Sequence, residues 1–164
     1  KSLVLETGCG NGKNMLYRND LNFIGIDISI EQVNICKNKN LSVSEGNITK
    51  LLFNDNNFDN IICIATYHHL DNDIDRQKAL NEMYRCVKPN GKILLSVWAM
   101  EQPINSKFKF DNENSLVSWQ NKYKRYYHIY KEDQLKEEII RLNPRFNINN
   151  FFWEEGNWYI ILSK

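Results

Sequence analysis

The sequence has 164 residues, 42% of them hydrophobic, which suits one compact domain spanning residues 1–164. Its formal charge of +1, from 21 basic and 20 acidic residues, excludes the strongly basic character of a general nucleic-acid binder. No apolar run approaches the ~20 residues that cross a bilayer and no signal-peptide pattern opens the chain, so we expect a cytoplasmic protein that does not bind membranes.

The chain begins with a short apolar strand, Leu3 to Leu5, that runs into the glycine-rich stretch "ETGCGNGK". Gly8, Gly10 and Gly12 alternate, whereas a dinucleotide fingerprint reads G-x-G-x-x-G and a P-loop needs G-K-[ST] after four spacer residues. A strand followed by such a turn lets a ligand touch the main chain. The spacing therefore indicates a nucleotide-like cofactor outside those two classes, with an ordinary glycine turn as the alternative.

The remaining elements follow from hydrophobic periodicity and turn residues. In chain order they are a strand "NFIGIDI" (22–28), a helix 31–38 capped by Ser29, a strand "LSVSEGN", a buried strand 58–66, a helix 73–87 ended by "KPNG", a strand "KILLSVWAM", a polar excursion 102–124, a helix 131–142, and two strands within "FNINNFFWEEGNWYIILS". Repeated strand–helix units predict a mostly parallel α/β sheet that ends in an antiparallel hairpin.

Polar residues at strand ends are candidate ligand contacts, because ligands of open α/β sheets bind beyond the carboxyl ends of the strands. Asp27 ends the second strand, where its carboxylate can accept two ribose hydroxyls; a helix-side cap is the alternative. "ATYHHL" ends the fourth strand, so we expect His68 and His69 to shape the acceptor pocket, unless one is a packed histidine bonded to backbone. No third ligand has suitable spacing, which argues against a metal site.

The four cysteines, Cys9, Cys36, Cys63 and Cys86, are scattered without a C-x-x-C pair. This spacing predicts reduced, mostly buried thiols and neither a disulfide framework nor a metal site.

The motif E-x-G-x-G-x-G from Glu6 to Gly12 resembles motif I of the class I S-adenosylmethionine (SAM) methyltransferases. The resemblance implies a Rossmann-like, mostly parallel seven-stranded sheet with a C-terminal antiparallel hairpin, and SAM as cofactor. It also implies an adenine contact at Asn47, where the family often carries an acid and where the amide oxygen can accept the adenine amino group. The implied cofactor-binding residues are Glu6, Gly8, Cys9, Gly10, Gly12, Asp27, Ile28, Asn47, Ile48 and Ala65.

Three further strings, "VWAMEQ", "RYYHIY" and "EGNWYIIL", resemble the eukaryotic tRNA wobble-uridine carboxymethyl methyltransferases, which include the methyltransferase domain of the AlkB homologue 8 family and stand-alone fungal relatives. This implies esterification of 5-carboxymethyluridine in the tRNA anticodon loop, and a small zinc-binding activator subunit as partner. Unlike the family, the chain opens directly on its first strand, so we expect N-terminal residues that cover the cofactor to be missing. The segment after Glu101 is also shorter and nearly neutral.

The implied reaction needs positioning more than acid–base catalysis, because a substrate carboxylate is already ionised at pH 7. Donors to hold it and rings to stack on a flipped base are expected in the segment "NKYKRYYHIYK" and near the strand ends, although a solvated strand would show a similar pattern. The expected catalytic residues are Arg125, His128, Tyr126, His68 and Trp98, with Trp119 and Tyr127 as further stacking candidates.

The third strand is expected at a sheet edge, with Leu41 and Val43 on one face, where the activator could add a strand.

Two other functions stay open. A small-molecule methyltransferase would not need "KYKRYYH", and a non-catalytic scaffold would keep the fold without turnover.

Overall fold

A computed structural model describes residues 1–119 and 123–164, except for the side chain of Trp119. Its strands are β1 (Leu3–Thr7), β2 (Asn22–Asp27), β3 (Val43–Glu45), β4 (Phe58–Ile64), β5 (Val87–Trp98), β6 (Asn114–Trp119), β7 (Tyr123–His128), β8 (Asn147–Glu154) and β9 (Asn157–Ser163). Its helices are α1 (Lys13–Tyr17), α2 (Ile30–Asn38), α3 (Asp73–Cys86) and α4 (Gln134–Leu142), with one 3-10 turn at Tyr67–His69.

The main sheet has seven strands in the order β3-β2-β1-β4-β5-β9-β8. The first five are parallel, while β9 pairs antiparallel with both β5 and β8. This confirms the predicted class I methyltransferase fold. Because β1 to β5 run in one direction, their carboxyl ends meet at one edge of the sheet. Within the described residues, no helix is long and apolar enough to cross a membrane.

The centre of the sheet is buried on both faces, as the continuous apolar runs predict. Ile61 and Cys63 on β4 and Ile93 and Leu95 on β5 have no exposed surface. The other three cysteines are buried as well, and all four are free thiols, which confirms the prediction of reduced, buried thiols. Capping also follows the sequence, because the Ser29 hydroxyl accepts a hydrogen bond from the backbone N–H of Gln32 at the start of α2.

The segment 102–124, which the sequence predicted to be irregular, contains β6 and the start of β7. Its polar sequence gave no sign of these strands. Strands β6 and β7 form a separate antiparallel hairpin, in which Leu116 pairs with Tyr126 and Val117 pairs with Arg125. Leu116 is largely exposed, so the hairpin lacks the buried alternation by which a strand is recognised. The predicted basic-aromatic segment lies mainly on β7, and its residues 121–122 lie outside the described part of the chain.

Strand β3 is at the sheet edge, as predicted, but its apolar face is not open to a partner. Val43 is buried and packs with Cys9, Val33 and Cys36, and Leu41 packs against the same cluster. The expectation of an apolar surface there is therefore wrong, because α2 already covers it. What β3 leaves open is its outer row of backbone groups.

A buried ionic network joins helices α3 and α4. The Glu138 carboxylate on α4 accepts hydrogen bonds at 2.9 Å from both the Tyr67 and the Tyr130 hydroxyls. Arg76 on α3 donates to its other oxygen at 3.3 Å and also donates to the Leu70 carbonyl at 3.1 Å. The network therefore fixes the 3-10 turn and the residue after it relative to both helices.

Removing the shared acceptor should destabilise the fold. We expect Glu138→Ala to lower the free energy of unfolding by about 3–5 kcal/mol, because Arg76 and two tyrosine hydroxyls would stay buried without it. Urea unfolding followed by circular dichroism measures the change. Glu137→Ala, at an exposed position on the same helix, is the matched control and should shift stability by less than about 0.5 kcal/mol. Equal effects of the two substitutions would contradict the assignment.

Candidate cofactor and acceptor site

A cavity of about 750 Å³ opens at the carboxyl ends of the parallel strands. It is lined by these predicted residues: Glu6, Gly8, Cys9, Gly10, Asp27, Ile28, Asn47, Ile48, Ala65 and Arg125. Its wall also contains residues that the sequence analysis did not assign to the cofactor, among them Lys13, Asn14, Gln32, Thr49, Thr66, His69 and Leu70. The cavity therefore brings together strand ends from β1 to β4 and one residue of the β6–β7 hairpin.

The glycine loop brings main chain to the cavity surface. Gly8 has a φ of 70°, and a Cβ atom there would lie 2.1 Å from the Thr66 hydroxyl, so the loops after β1 and β4 touch. Gly10 has a φ of 51°, and a Cβ there would meet no atom within 4 Å. A side chain at Gly10 would instead occupy space beside the cavity that a ligand can use.

Gly12 does not line the cavity. It has a φ of 76° and stands at the start of α1, and a Cβ there would lie 2.3 Å from the Leu41 side chain. This geometry favours close packing of the loop on the segment before β3, and a cofactor contact by Gly12 stays a prediction.

The Asp27 carboxylate ties the glycine loop to β2. One oxygen accepts the Gly10 N–H at 2.8 Å and the other accepts the Ser29 N–H at 2.9 Å. Each carboxylate oxygen has a further lone pair, so Asp27 can still accept the hydroxyls of a ribose. The capping interaction that was the alternative reading thus coexists with the predicted ligand role.

Glu6 offers a buried carboxylate oxygen to the cavity. Its Oε1 accepts a hydrogen bond from the Asn14 amide at 2.7 Å, whereas Oε2 is buried without a partner among the described residues. Burial raises the pKa of Glu6 to about 7. An ammonium group would satisfy this oxygen and stabilise the ionised form, so the site fits the amino-acid end of SAM.

Asn47 is exposed at the end of β3, as predicted, but its amide is oriented by Thr49. The Asn47 Oδ1 atom accepts hydrogen bonds from the backbone N–H and the hydroxyl of Thr49, both at 2.9 Å. The oxygen expected to receive the adenine amino group is therefore already occupied. The amide NH₂ remains, and it can donate to a ring nitrogen of adenine.

The two histidines after β4 have different environments. His69 lines the cavity and its Nδ1 donates to the Tyr126 carbonyl at 2.9 Å, while burial and Arg125 lower its pKa to about 4. His68 is fully buried, and its Nδ1 accepts the Trp98 N–H at 2.9 Å. Burial holds the pKa of His68 well below its usual value. His68 is thus the packed, backbone-bonded histidine, and His69 the pocket residue.

The other expected catalytic side chains do not line this cavity. Tyr126 donates its hydroxyl to Asn114 at 2.5 Å, and the ring of His128 contacts the same amide oxygen at 3.3 Å. Trp98 stacks on Tyr127, with ring centroids 4.3 Å apart. Of the five predicted catalytic residues only Arg125 lines the cavity, because the hairpin turns the neighbouring side chains toward each other.

The pKa of Glu6 predicts a pH-dependent affinity for SAM. Because the ionised carboxylate is the form that pairs with an ammonium, binding below about pH 7 must expel a proton, and the affinity should fall up to tenfold per pH unit. Calorimetric titration from about pH 7.5 down to pH 5.5 measures the loss, and buffers of different ionisation enthalpy count the proton released.

Glu6→Gln is the control for this prediction, since it keeps the shape of the side chain but cannot ionise. It should bind SAM more weakly above pH 7 and show a flatter pH profile. A wild-type profile in this variant would place the titrating group elsewhere.

Comparison with known proteins identifies the family from the sequence. A family model described as a methyltransferase domain matches residues 5–95. An Arabidopsis thaliana protein named tRNA (carboxymethyluridine(34)-5-O)-methyltransferase is 32% identical over 91% of this chain, which spans 35% of that relative. A Schizosaccharomyces pombe protein of the same name is 28% identical over 99% of this chain and 81% of its own length. An Encephalitozoon cuniculi protein named as a methyltransferase is 30% identical over 100% of this chain and 79% of its own length.

Solved structures agree on the fold. A SAM-dependent methyltransferase from Methanosarcina mazei superposes with a TM-score of 0.79 at 18% identity, over 100% of this chain and 92% of its own. A chain from the complex between the Haloferax volcanii Trm112 methyltransferase activator and a methyltransferase gives a TM-score of 0.75 at 16% identity, over 99% of this chain and 82% of its own.

The matched family model covers more than half of the chain, and the glycine loop, Asp27 and the buried Glu6 lie together in one cavity of the expected fold. The chain belongs to the SAM-dependent methyltransferases, as a relative of the tRNA carboxymethyluridine methyltransferases.

Proposed function

We propose that this chain transfers a methyl group from SAM to the carboxylate of 5-carboxymethyluridine at the tRNA wobble position, giving a methyl ester. The observation that carries the proposal is Arg125, which the β6–β7 hairpin places in the wall of the cofactor cavity. The names of the relatives favour the same acceptor. We further propose that residues 1–164 act as one domain in the cytoplasm, where tRNA is the substrate.

The electrostatics of the three histidines favour a carboxylate acceptor. The pKa values of His69 and His128 are lowered to about 4, and that of His68 lies well below its usual value, each chiefly through burial. A base with such a pKa removes a proton poorly from a hydroxyl or an amine. A carboxylate arrives already deprotonated at pH 7 and needs only to be held in line.

The chain's own residues would therefore bind and orient. Glu6 would pair with the ammonium of SAM, Asp27 would accept the ribose hydroxyls, and Arg125 would hold the substrate carboxylate. When bound, SAM supplies an electrophilic methyl group. The apolar wall residues Ile64 and Leu70 would limit the access of water to the reacting atoms.

The exposed start of β7 would contact the RNA. Tyr123 and Lys124 are exposed next to Arg125, which combines a ring with positive charge as single-stranded RNA requires. A small-molecule carboxylate remains the second candidate acceptor, because the same cavity could admit it. The exposed basic and aromatic groups on this one strand favour the RNA.

The proposed product gives a direct chemical test. Wild-type protein with radiolabelled SAM should label tRNA that lacks this modification, and mild alkali should release the label as methanol, because esters hydrolyse under conditions that N- and C-methyl groups survive. Alkali-stable label would contradict esterification. Label in a small carboxylic acid but not in tRNA would favour the second candidate.

Substitution of Arg125 separates its proposed role from cofactor binding. Arg125→Ala should lower kcat/KM for tRNA by about 10- to 100-fold, as expected for loss of a charge-assisted contact, with little change in the Kd for SAM. Arg125→Lys, which keeps the charge, is the control and should recover part of the activity.

We also propose that a small zinc-binding activator subunit pairs with the open edge of β3. The backbone groups of Ser42 and Gly46 bond to β2, so the alternate residues Val43 and Glu45 direct their N–H and C=O groups outward. Strand addition to such an edge needs main-chain groups and not an apolar face. The complex of Trm112 with a methyltransferase of the same fold is consistent with this partner class.

A proline at the edge tests this pairing. Glu45→Pro removes an outward N–H, so it should abolish co-purification with a Trm112-type activator while SAM binding is retained. Glu45→Thr keeps the N–H and should still bind the activator. If the isolated wild-type chain proves monomeric, soluble and fully active, no activator is needed.

A further inference from the structure

A ladder of aromatic rings leads from the cofactor cavity to a second site on the surface. His69, in the cavity wall, packs on Tyr127 with centroids 4.4 Å apart, and Tyr127 stacks on Trp98 at 4.3 Å. Trp98 in turn packs on Phe108 at 4.8 Å. Phe110 also packs on Trp98, at 5.6 Å, and its ring is parallel to that of Phe108. Phe108 is 43% exposed, so this outer end of the ladder can accept another planar group.

A second cavity, of about 340 Å³, lies at this outer end. Its wall includes Trp98, Asn105, Phe108, Glu155 and Asn157. The volume is within the range of small-ligand sites. Because Trp98 ends β5, this cavity opens at the same edge of the sheet as the cofactor cavity, with the aromatic ladder between them.

The second cavity is rigidly built. The Gln102 amide donates to the carbonyls of Ala99 and Gly156 at 2.7 and 2.8 Å, which joins the end of β5 to the turn between β8 and β9. In that turn the Asn157 amide nitrogen donates to the Glu155 carbonyl at 3.1 Å. The Asn157 oxygen is therefore the atom left to accept a hydrogen bond from a ligand.

The chemistry of the wall favours a base over a phosphate. Among the residues that the structure describes, the lining combines aromatic rings with Asn105, Asn157 and Glu155 and contains neither lysine nor arginine. A phosphate would be repelled by Glu155, whereas a neutral planar base can stack on Phe108 and bond the amides. Lys107 and Lys109 alternate with Phe108 and Phe110 in the same segment of the chain. These two lysines can pair with the phosphates of the RNA backbone on either side of the bound base.

We propose that the second cavity binds an unpaired nucleobase of the substrate RNA adjacent to the nucleotide that is methylated. This rests on the proposed function, and it adds a contact that selects RNA over a free nucleoside. The base stacks on Phe108 and extends the ring ladder outward. The segment after Glu101, which is nearly neutral overall, thus contributes to RNA binding chiefly by stacking.

A double-mutant cycle between protein and RNA tests the proposal. The Kd of a synthetic anticodon stem-loop with 5-carboxymethyluridine is measured for wild-type and Phe108→Ala protein, and again with abasic sites replacing, in turn, the nucleotides on either side of the target. One abasic site should weaken wild-type binding by about 10-fold, as for one stacked base, and should cost Phe108→Ala nothing further.

Two controls address the fold. Phe108→Tyr keeps the ring and should behave as wild type, and Ile104→Ala, which removes an almost fully exposed side chain of the same segment, should retain the full abasic effect. The Kd for SAM should be the same in all variants. Additive effects of Phe108→Ala and both abasic sites, or a loss of SAM binding in that variant, would overturn the base site.

Methylation of the intact stem-loop by the wild type is measured in parallel. If the stem-loop is methylated but the cycle shows no coupling, the base site is wrong and the proposed function stands. If the wild type neither binds nor methylates it, both are wrong.

Discussion

The Asp27 carboxylate is the contact on which the cofactor site depends, because it joins the glycine loop to the start of α2. The N–H groups of Gly8 and Cys9 both donate to the Ile26 carbonyl, and the Gly10 N–H donates to Asp27 itself. Three successive residues of the loop are thereby fastened to the end of β2. The left-handed backbone of Gly8 and Gly10 persists because these bonds offset its conformational cost. One side chain, Asp27, thus links the glycine loop, the predicted ribose contact and the start of α2.

The sequence predicted the sheet and the cavity at the carboxyl ends of its strands, because both leave local signals. Buried parallel strands read as apolar runs, and the glycine spacing with Asp27 at a strand end marks the ligand edge. The partner of Glu6, Asn14, had no such signal, because their contact depends on how α1 packs over the loop. Likewise, adjacent histidines at positions 68 and 69 look equivalent in sequence, and only the fold decides which one is buried.

The acceptor side was harder to predict because its residues belong to an exposed hairpin. Arg125, Tyr126 and His128 look equally suited to bind a substrate, yet Tyr126 and His128 both turn to Asn114 on the neighbouring strand. The register of β6 and β7 decides this, and register cannot be read from polar strands. The strings "VWAMEQ" and "GNW", which indicate the family, meet in the structure: the Ala99 N–H donates to the Gly156 carbonyl, and the Trp158 indole donates to Glu101. These hydrogen bonds connect the end of β5 to the turn between β8 and β9 and to the start of β9, beside the second cavity.

The proposed reaction places an unusual demand on this arrangement, because a cationic methyl donor and an anionic acceptor give two neutral products. Charge disappears on the way to the transition state, so water and tight ion pairing stabilise the reactants more than the transition state. The cavity wall carries Glu6 and Asp27 on the β1–β2 side and Arg125 from β7, while the carboxylate of its third acidic residue, Asp75 on α3, pairs with Lys78. Arg125 can hold the substrate carboxylate through one oxygen and leave the other to react. A fully bidentate pair would bind the substrate more tightly and slow the transfer.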